Sequence, residues 1–375
     1  MPMALSSCPR LSHCSPKTRL RSLRRLSASR ADNVGSVPVV ELANGLELAS
    51  LGIGAWAYGN NTYWQTAWDA QAEQSAADAV RVALEVSGGK PTFDTAEAYS
   101  FPQGAESSES IIARALGVQG SSASVITKFA PAPWKNGRDA VVNACKKSCE
   151  RLGAREFVDV YLLHWPGLPF QNDAYLDGLA DCVEKGLAKS VGVCNYNAAQ
   201  VRDAHAKLAA RGVPLTINQV QFSLMYTRPL DSGLLDTCRE LGVVLQAWSP
   251  LGQGLLTGKY SRDNPPPGIR GSAFGIILEE IDPLLAALDE IADTHGGKTK
   301  GQVALRWLMD QDGVVTIPGA KNASQAEEAY GALGWSLTAD EVARLTSEAA
   351  GLKERVRSKG GVPALVDRFL EAGGV

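Results

Sequence analysis

Four side chains suited to proton transfer stand at the ends of three short apolar runs. FDTAEAY supplies Asp94 and, five residues on, Tyr99; ITKF supplies Lys128; LLHWP supplies His164. Charged groups in such company are costly to bury unless they are paired. Each alone would pass for a satisfied structural residue; together they hold the parts of a general acid. A phenol has a pKa of about 10, too high for ready proton donation at neutral pH. An adjacent ammonium favours the phenolate and is expected to lower that value. A carboxylate would hold the lysine charged and oriented, and a histidine would hydrogen-bond a substrate oxygen and help pass the proton. Such a set protonates an oxygen while another group supplies an electron pair. A strand-borne lysine also suits Schiff-base chemistry, which would make Lys128 the nucleophile of a lyase or isomerase but leaves DTAEAY unexplained.

The elements that position these residues follow from the apolar pattern. Eight strand-like runs alternate with helical spacing: Leu51–Trp56, Thr92–Glu97, Ser124–Phe129, Val158–His164, Ser190–Asn195, Thr216–Gln221, Val243–Trp248 and Val314–Ile317. Helical patterns such as Ala140–Leu152 and Asp173–Lys185 lie between them. This alternation predicts an α/β fold, a (β/α)8 TIM barrel in one domain, with ligands at the carboxyl ends of the strands. An open doubly wound sheet is the alternative, but no GxGxxG follows the first strand, where LGIGAW offers only a GxG. Two insertions interrupt the spacing, each after a strand. Tyr58–Ala72 carries Tyr58, Tyr63, Trp64 and Trp68, which either line a substrate mouth or pack over the barrel top. The long loop Leu251–Asp282 after the seventh strand contains GQGLLTGKY and NPPPG.

The 375 residues include 37 basic and 40 acidic side chains, 45% hydrophobic and 21% charged residues, enough for a full core. That balance excludes a disordered chain or a strongly basic nucleic-acid binder, and no apolar run is long enough for a membrane helix. Residues 1–31 differ from the rest: Arg10, Lys17, Arg19, Arg21, Arg24, Arg25 and Arg30, seven serines and no acid. This is the composition of an organelle transit peptide, chloroplast in preference to mitochondrion, or else of a basic tail. Its removal would take the net charge from −3 to −10, so nucleic acid and anionic surfaces would be repelled. A phosphate-bearing ligand would then need a local basic pocket. Cys145, Cys149, Cys182, Cys194 and Cys238 remain beyond the leader, without zinc-ligand spacing. Cys145 and Cys149, four apart on a helix, are either core residues or a thiol switch.

DTAEAY, TKF, LLHWP, GVCNY, NQVQFSL, AWSPLGQGLLTGKY and IPGAKNASQAEE together resemble the aldo-keto reductase family, from about Leu46 to Glu341. The likeness is to its plastid-targeted members in plants and green algae. It implies Tyr99 as general acid, Asp94 and Lys128 tuning it, and His164 orienting a carbonyl reduced by NADPH. It implies Asn195 and Gln219 on the cofactor carboxamide, and Trp248 against the nicotinamide ring. Ser249, Leu251, Gly254 and Lys259 would lie over the pyrophosphate, and Gly319, Lys321, Gln325 and Glu328 at the adenosine end. Lys321 would meet the 2′-phosphate through a charge-assisted contact. Trp56 and Trp165 are candidate substrate walls.

Three positions depart from the family pattern: Cys194 stands where serine is common, Trp248 where tyrosine is common, and Ala329 where asparagine often meets adenine. The resemblance implies a small-molecule aldehyde or ketone as substrate, pyridoxal among the possibilities. A chloroplast location follows, in the stroma or peripherally on plastoglobules. The competing expectation is a nucleotide-sensing regulatory protein with little turnover.

Overall fold

The computed structural model describes residues 37–59, 63–64, 67–99, 106–117, 122–168 and 170–359. The leader read from residues 1–31 lies outside the described residues. A two-stranded antiparallel hairpin, β1 (Val39–Glu41) and β2 (Glu47–Ala49), precedes a parallel sheet. The sheet runs β3 (Ile53–Gly54), β4 (Thr92–Asp94), β5 (Ser124–Phe129), β6 (Val158–Leu163), β7 (Ala188–Cys194), β8 (Leu215–Gln221), β9 (Val244–Trp248) and β10 (Val314–Thr316), each paired with the next. β3 returns to β10 through parallel bridges at Leu51–Thr316 and Gly54–Gly319. Backbone bonds from Gly52 N to Thr316 O (2.9 Å), Thr316 N to Ser50 O (3.0 Å) and Gly54 N to Pro318 O (2.9 Å) close the ring. The eight expected strands are the eight observed, each displaced by a few residues at most, and the architecture is the (β/α)8 barrel.

The two-residue period of a strand decides what faces the barrel axis. Ile126, Val160, Leu162, Cys194, Ile217, Val244 and Val315 pack together inside. Two residues further along the same strands stand Lys128, His164, Gln219 and Gln246. The interior is therefore layered, apolar below and polar at the carboxyl rim, as the barrel rule expects. Leu42 and Leu48 of the hairpin join the lower apolar layer and close the barrel floor. Nothing in the alternating pattern announced this hairpin.

The outer layer is helical. Gly137–Arg151 and Asn172–Glu184 occupy the places expected for Ala140–Leu152 and Asp173–Lys185. They lie so close that a Cβ on Gly178 would sit 2.7 Å from Val141 Cβ and 2.8 Å from Arg138 O. Cys145, Cys149 and Cys182 are buried in this layer, and every cysteine among the described residues is free. The two insertions are not structureless. Helix Ala70–Val86 begins inside the first, and Tyr58 is core, its hydroxyl donating to Ala320 O at 3.0 Å. The second holds a 3-10 turn at Gly252–Thr257 and helices Ile269–Ala273 and Gly275–Glu280. No helix among the described residues is long and apolar enough to cross a membrane, and no group of acidic, histidine or cysteine side chains among them could hold a metal.

Candidate active site

Lys128 is fully buried, and its ammonium has an acceptor for each of its three hydrogens. These are Asp94 Oδ1 at 2.6 Å, Thr95 O at 2.7 Å and Tyr99 Oη at 2.7 Å. The third bond places a donated hydrogen on the phenol oxygen, so the phenol's own proton must point elsewhere. Asp94 Oδ1 is a distant acceptor for it at 3.3 Å; the other direction is the open space beside His164, whose ring lies 5.6 Å from that of Tyr99 at 70°. Burial first, then the Asp94 carboxylate, holds the Tyr99 hydroxyl well above the usual phenol value. The direction is opposite to the lowered pKa expected from the neighbouring lysine, because burial and the Asp94 carboxylate both disfavour the phenolate. Tyr99 is a neutral O–H, proton in hand. Burial, then the Lys128 charge, pushes His164 well below the usual imidazole range, so it is a neutral ring, with Nδ1 buried and unpartnered. Lys128 offers no free lone pair, and it does not face the cavity, which removes the geometry a Schiff base requires.

A cavity of about 920 Å3 opens over this cluster and runs along the carboxyl rim. Asp94, Tyr99, His164, Asn195, Gln219, Trp248, Ser249, Leu251, Gly254, Lys259, Gly319, Lys321, Gln325 and Glu328 all face it, as does Trp56. Trp165 does not face it; its ring lies 4.6 Å from that of His164 and backs it. Asn195 Nδ2 donates to His164 O (3.2 Å), and Trp248 Nε1 donates to Asn195 Oδ1 (3.1 Å). The tryptophan at the usual tyrosine position thus orients the neighbouring amide. Three of the four described non-glycine residues with positive φ border the cavity, namely Asn195, Ser249 and Gln253. Left-handed backbone at such residues is a strain that functional sites tolerate.

One end of the cavity is cationic. Arg270 and Lys321 approach the Trp64 ring at 4.7 and 4.9 Å, and Lys259 stands over Tyr260 at 4.7 Å. Burial first, then Arg270 and Lys259, pushes the Lys321 ammonium down to about 8. Arg270 is buried, its Nε without a partner, and Gln253 Nε2 is likewise buried and unpartnered. Unsatisfied donors and crowded like charges suit an anionic ligand such as a phosphate. Glu328, the nearby carboxylate, accepts from Thr299 Oγ1 and from Gln302 Nε2 instead. Between this cluster and the tetrad, Trp56 stacks on Tyr63 with centroids 5.0 Å apart, meets Trp64 at 5.3 Å and approaches Tyr99 at 6.4 Å. Of the first insertion's aromatics, Tyr63 and Trp64 therefore line the mouth, while Tyr58 and Trp68 pack below it.

The model of the aldo/keto reductase family matches residues 50–349. The chain belongs to the aldo/keto reductase family. It is an oxidoreductase. Chloroplastic pyridoxal reductase of Arabidopsis thaliana is 40% identical over 80% of this chain and 83% of its own. An uncharacterised oxidoreductase of Mycobacterium tuberculosis is 35% identical over 82% and 91%. Among solved structures, the thermostable aldo-keto reductase Tm1743, in complex with the inhibitor epalrestat, superposes with a TM-score of 0.66 at 25% identity, covering 83% of this chain and 99% of that one. A Bombyx mori aldo-keto reductase in complex with NADP gives 0.62 at 26%, covering 84% and 93%.

Several cavity residues of this reductase were invisible in its sequence. Arg270 follows the NPPPG loop without any periodicity that would aim it inward. Gln253 and Thr257 sit in a turn whose φ values break the helical pattern. Gln246, which does not face the cavity but bonds to Gln219, was hidden in a strand read as apolar. The period-two rule would have found it, since it lies two residues before Trp248.

Proposed function

We propose that this reductase is an NADPH-dependent carbonyl reductase that converts an aldehyde or ketone to an alcohol. The arrangement of Lys128 and Tyr99 carries the reading, because it sets a protonated phenol on the cavity wall with the Lys128 ammonium already bonded to its oxygen. When bound, NADPH supplies a hydride to the carbonyl carbon. Tyr99 gives its proton to the carbonyl oxygen, and Lys128 stabilises the phenolate left behind through a bond already in place. Asp94 keeps Lys128 charged and fixed. The neutral His164 ring directs the carbonyl oxygen towards Tyr99 without itself changing charge. Asn195 and Gln219 hold the carboxamide, and Trp248 backs the nicotinamide ring. Ser249, Leu251, Gly254 and Lys259 flank the pyrophosphate, while Gly319, Gln325 and Glu328 meet the adenosine.

The cationic end, Lys259, Arg270 and Lys321 with the unpartnered Gln253 donor, fits the phosphates and favours NADPH over NADH. Trp56 and Tyr63 offer a flat aromatic wall beside Tyr99, with Trp165 supporting His164 from behind. Such a wall suits a planar aromatic aldehyde, and pyridoxal is the first to test, given the Arabidopsis relative. That relative also supports residence in a plastid, with residues 1–31 as the transit peptide and either the stroma or the plastoglobule surface as the final site.

The deciding experiment follows NADPH oxidation with pyridoxal and a panel of aromatic and aliphatic aldehydes, for wild type and Tyr99→Phe. Loss of turnover by roughly 10²–10⁴-fold in the variant, with NADPH binding retained, is the expected result. Near-normal turnover in the variant would remove Tyr99 as the acid. Fusing residues 1–36 to a fluorescent protein tests import separately, and a cytosolic signal would refute it.

A further inference from the structure

Gln219 and Gln246 stand side by side in register across the β8–β9 ladder, both pointing into the barrel and both almost fully buried. Gln219 Nε2 donates to Asp94 Oδ2 at 2.7 Å and to Gln246 Oε1 at 2.7 Å. The chemistry fixes the assignment of atoms. Asp94 as a carboxylate can only accept, so the nitrogen of Gln219 must face it. The second hydrogen on that nitrogen then needs an acceptor, which Gln246 provides. Both hydrogens of the Gln219 amide are thereby committed inside the barrel, and its carbonyl oxygen is the end left for the cavity, which Gln219 lines. Asp94 in turn has each oxygen bonded, Oδ1 to Lys128 and Oδ2 to Gln219.

We infer that Gln246 is a positioning residue for cofactor recognition: by accepting from Gln219 it locks that amide with its oxygen towards the cavity, where it accepts from the N–H group of the nicotinamide carboxamide. Gln246 does not itself touch the ligand. One amide then links two tasks, reading the carboxamide on one side and holding Asp94 on the other. Removing the Gln246 acceptor leaves an amide hydrogen without a partner in a buried site; with only the Asp94 bond left, the Gln219 amide can swing about that bond and carry its carbonyl oxygen off the carboxamide. This inference rests on the proposed NADPH reading.

The test compares binding of NADPH with its 3-acetylpyridine analogue, whose acetyl group keeps an acceptor oxygen but has no N–H to donate. Quenching of tryptophan fluorescence reports binding without turnover. Wild type is expected to prefer NADPH by roughly five- to tenfold, the worth of one buried hydrogen bond. Gln246→Met, near in volume but without an acceptor, should abolish most of that preference, and so should Gln246→Asn, which is too short to reach. Gln246→Glu keeps an accepting oxygen and should restore it. A merely structural role would weaken both ligands equally and leave their ratio unchanged. If wild type shows no preference, or if both Gln246→Met and Gln246→Asn keep it, the inference is wrong while the reductase reading stands. If wild type binds no NADPH at all, the proposed function fails and takes this inference with it.

Discussion

Lys128 is an ammonium with no hydrogen to spare, and that saturation has measurable consequences. Lys128→Met would leave the Asp94 carboxylate buried without its cation, so stability should fall by about 3–5 kcal/mol alongside activity, read by denaturant unfolding. Tyr99→Phe, by contrast, leaves the Asp94–Lys128 pair intact and takes only one neutral acceptor from the ammonium, so it should cost less, about 1–3 kcal/mol. At the cationic end the sign is different. Lys321 is charged below about 8 and neutral above it, whereas in the unfolded chain it stays charged to about 10.5. Folding is therefore penalised by this residue below about pH 8, and the penalty fades as the pH rises from there towards 10.5. Lys321→Met should raise the melting temperature of the cofactor-free protein at pH 7 and lose that advantage near pH 10. The same variant should weaken NADPH much more than NADH; equal weakening would separate Lys321 from the 2′-phosphate. The tetrad was legible in the sequence because polar residues at the ends of apolar strands are conspicuous. Arg270 and Gln246 were not, since one enters from an irregular loop and the other reads as an ordinary strand residue. The raised Tyr99 pKa was also out of reach, because type and spacing do not reveal how much water a site excludes.

Among the elements, the hairpin β1–β2 closes the barrel floor, far from the rim, with apolar contacts and with bonds from Asn44 Nδ2 to Lys189 O and from Ala49 N to Thr92 Oγ1. Leu48 is almost fully buried there, and Leu48→Ala should cost about 2–5 kcal/mol of stability without altering the pH dependence of turnover. A changed pH profile would mean that the floor communicates with the tetrad. The barrel strands could be found from sequence because each is a compact apolar run bounded by helical spacing. The hairpin escaped because its strands are three residues long, too short for a period to declare itself. The outer helices were legible too, but not how close they lie. Gly178 shows that closeness, and Gly178→Ala should destabilise by about 1–3 kcal/mol through overpacking against Val141 and Arg138. The cysteines between those helices fill core volume in this arrangement, which is the plainer of the two expectations for Cys145 and Cys149.

For the molecule as a whole, a ligand that binds only the folded form raises its stability by mass action. At a hundred times its dissociation constant NADPH should add about 2.7 kcal/mol, visible as a higher melting temperature, with NADH at the same concentration adding much less. An equal shift from both would contradict the phosphate role of the cationic end. The closure of the barrel bears on where that stabilisation is felt. β3 is two residues long and meets β10 through a handful of backbone bonds. Gly54 and Gly319, which flank that junction, also line the cavity. The barrel thus has a seam, and the seam runs beneath the cofactor groove. Amide hydrogens at Gly52, Gly54 and Thr316 should exchange with solvent sooner than those of β5 to β8, and a dinucleotide lying across them should slow that exchange. The ligand would then act as the last staple of the ring, so that the cofactor-free protein breathes where the holoprotein is shut.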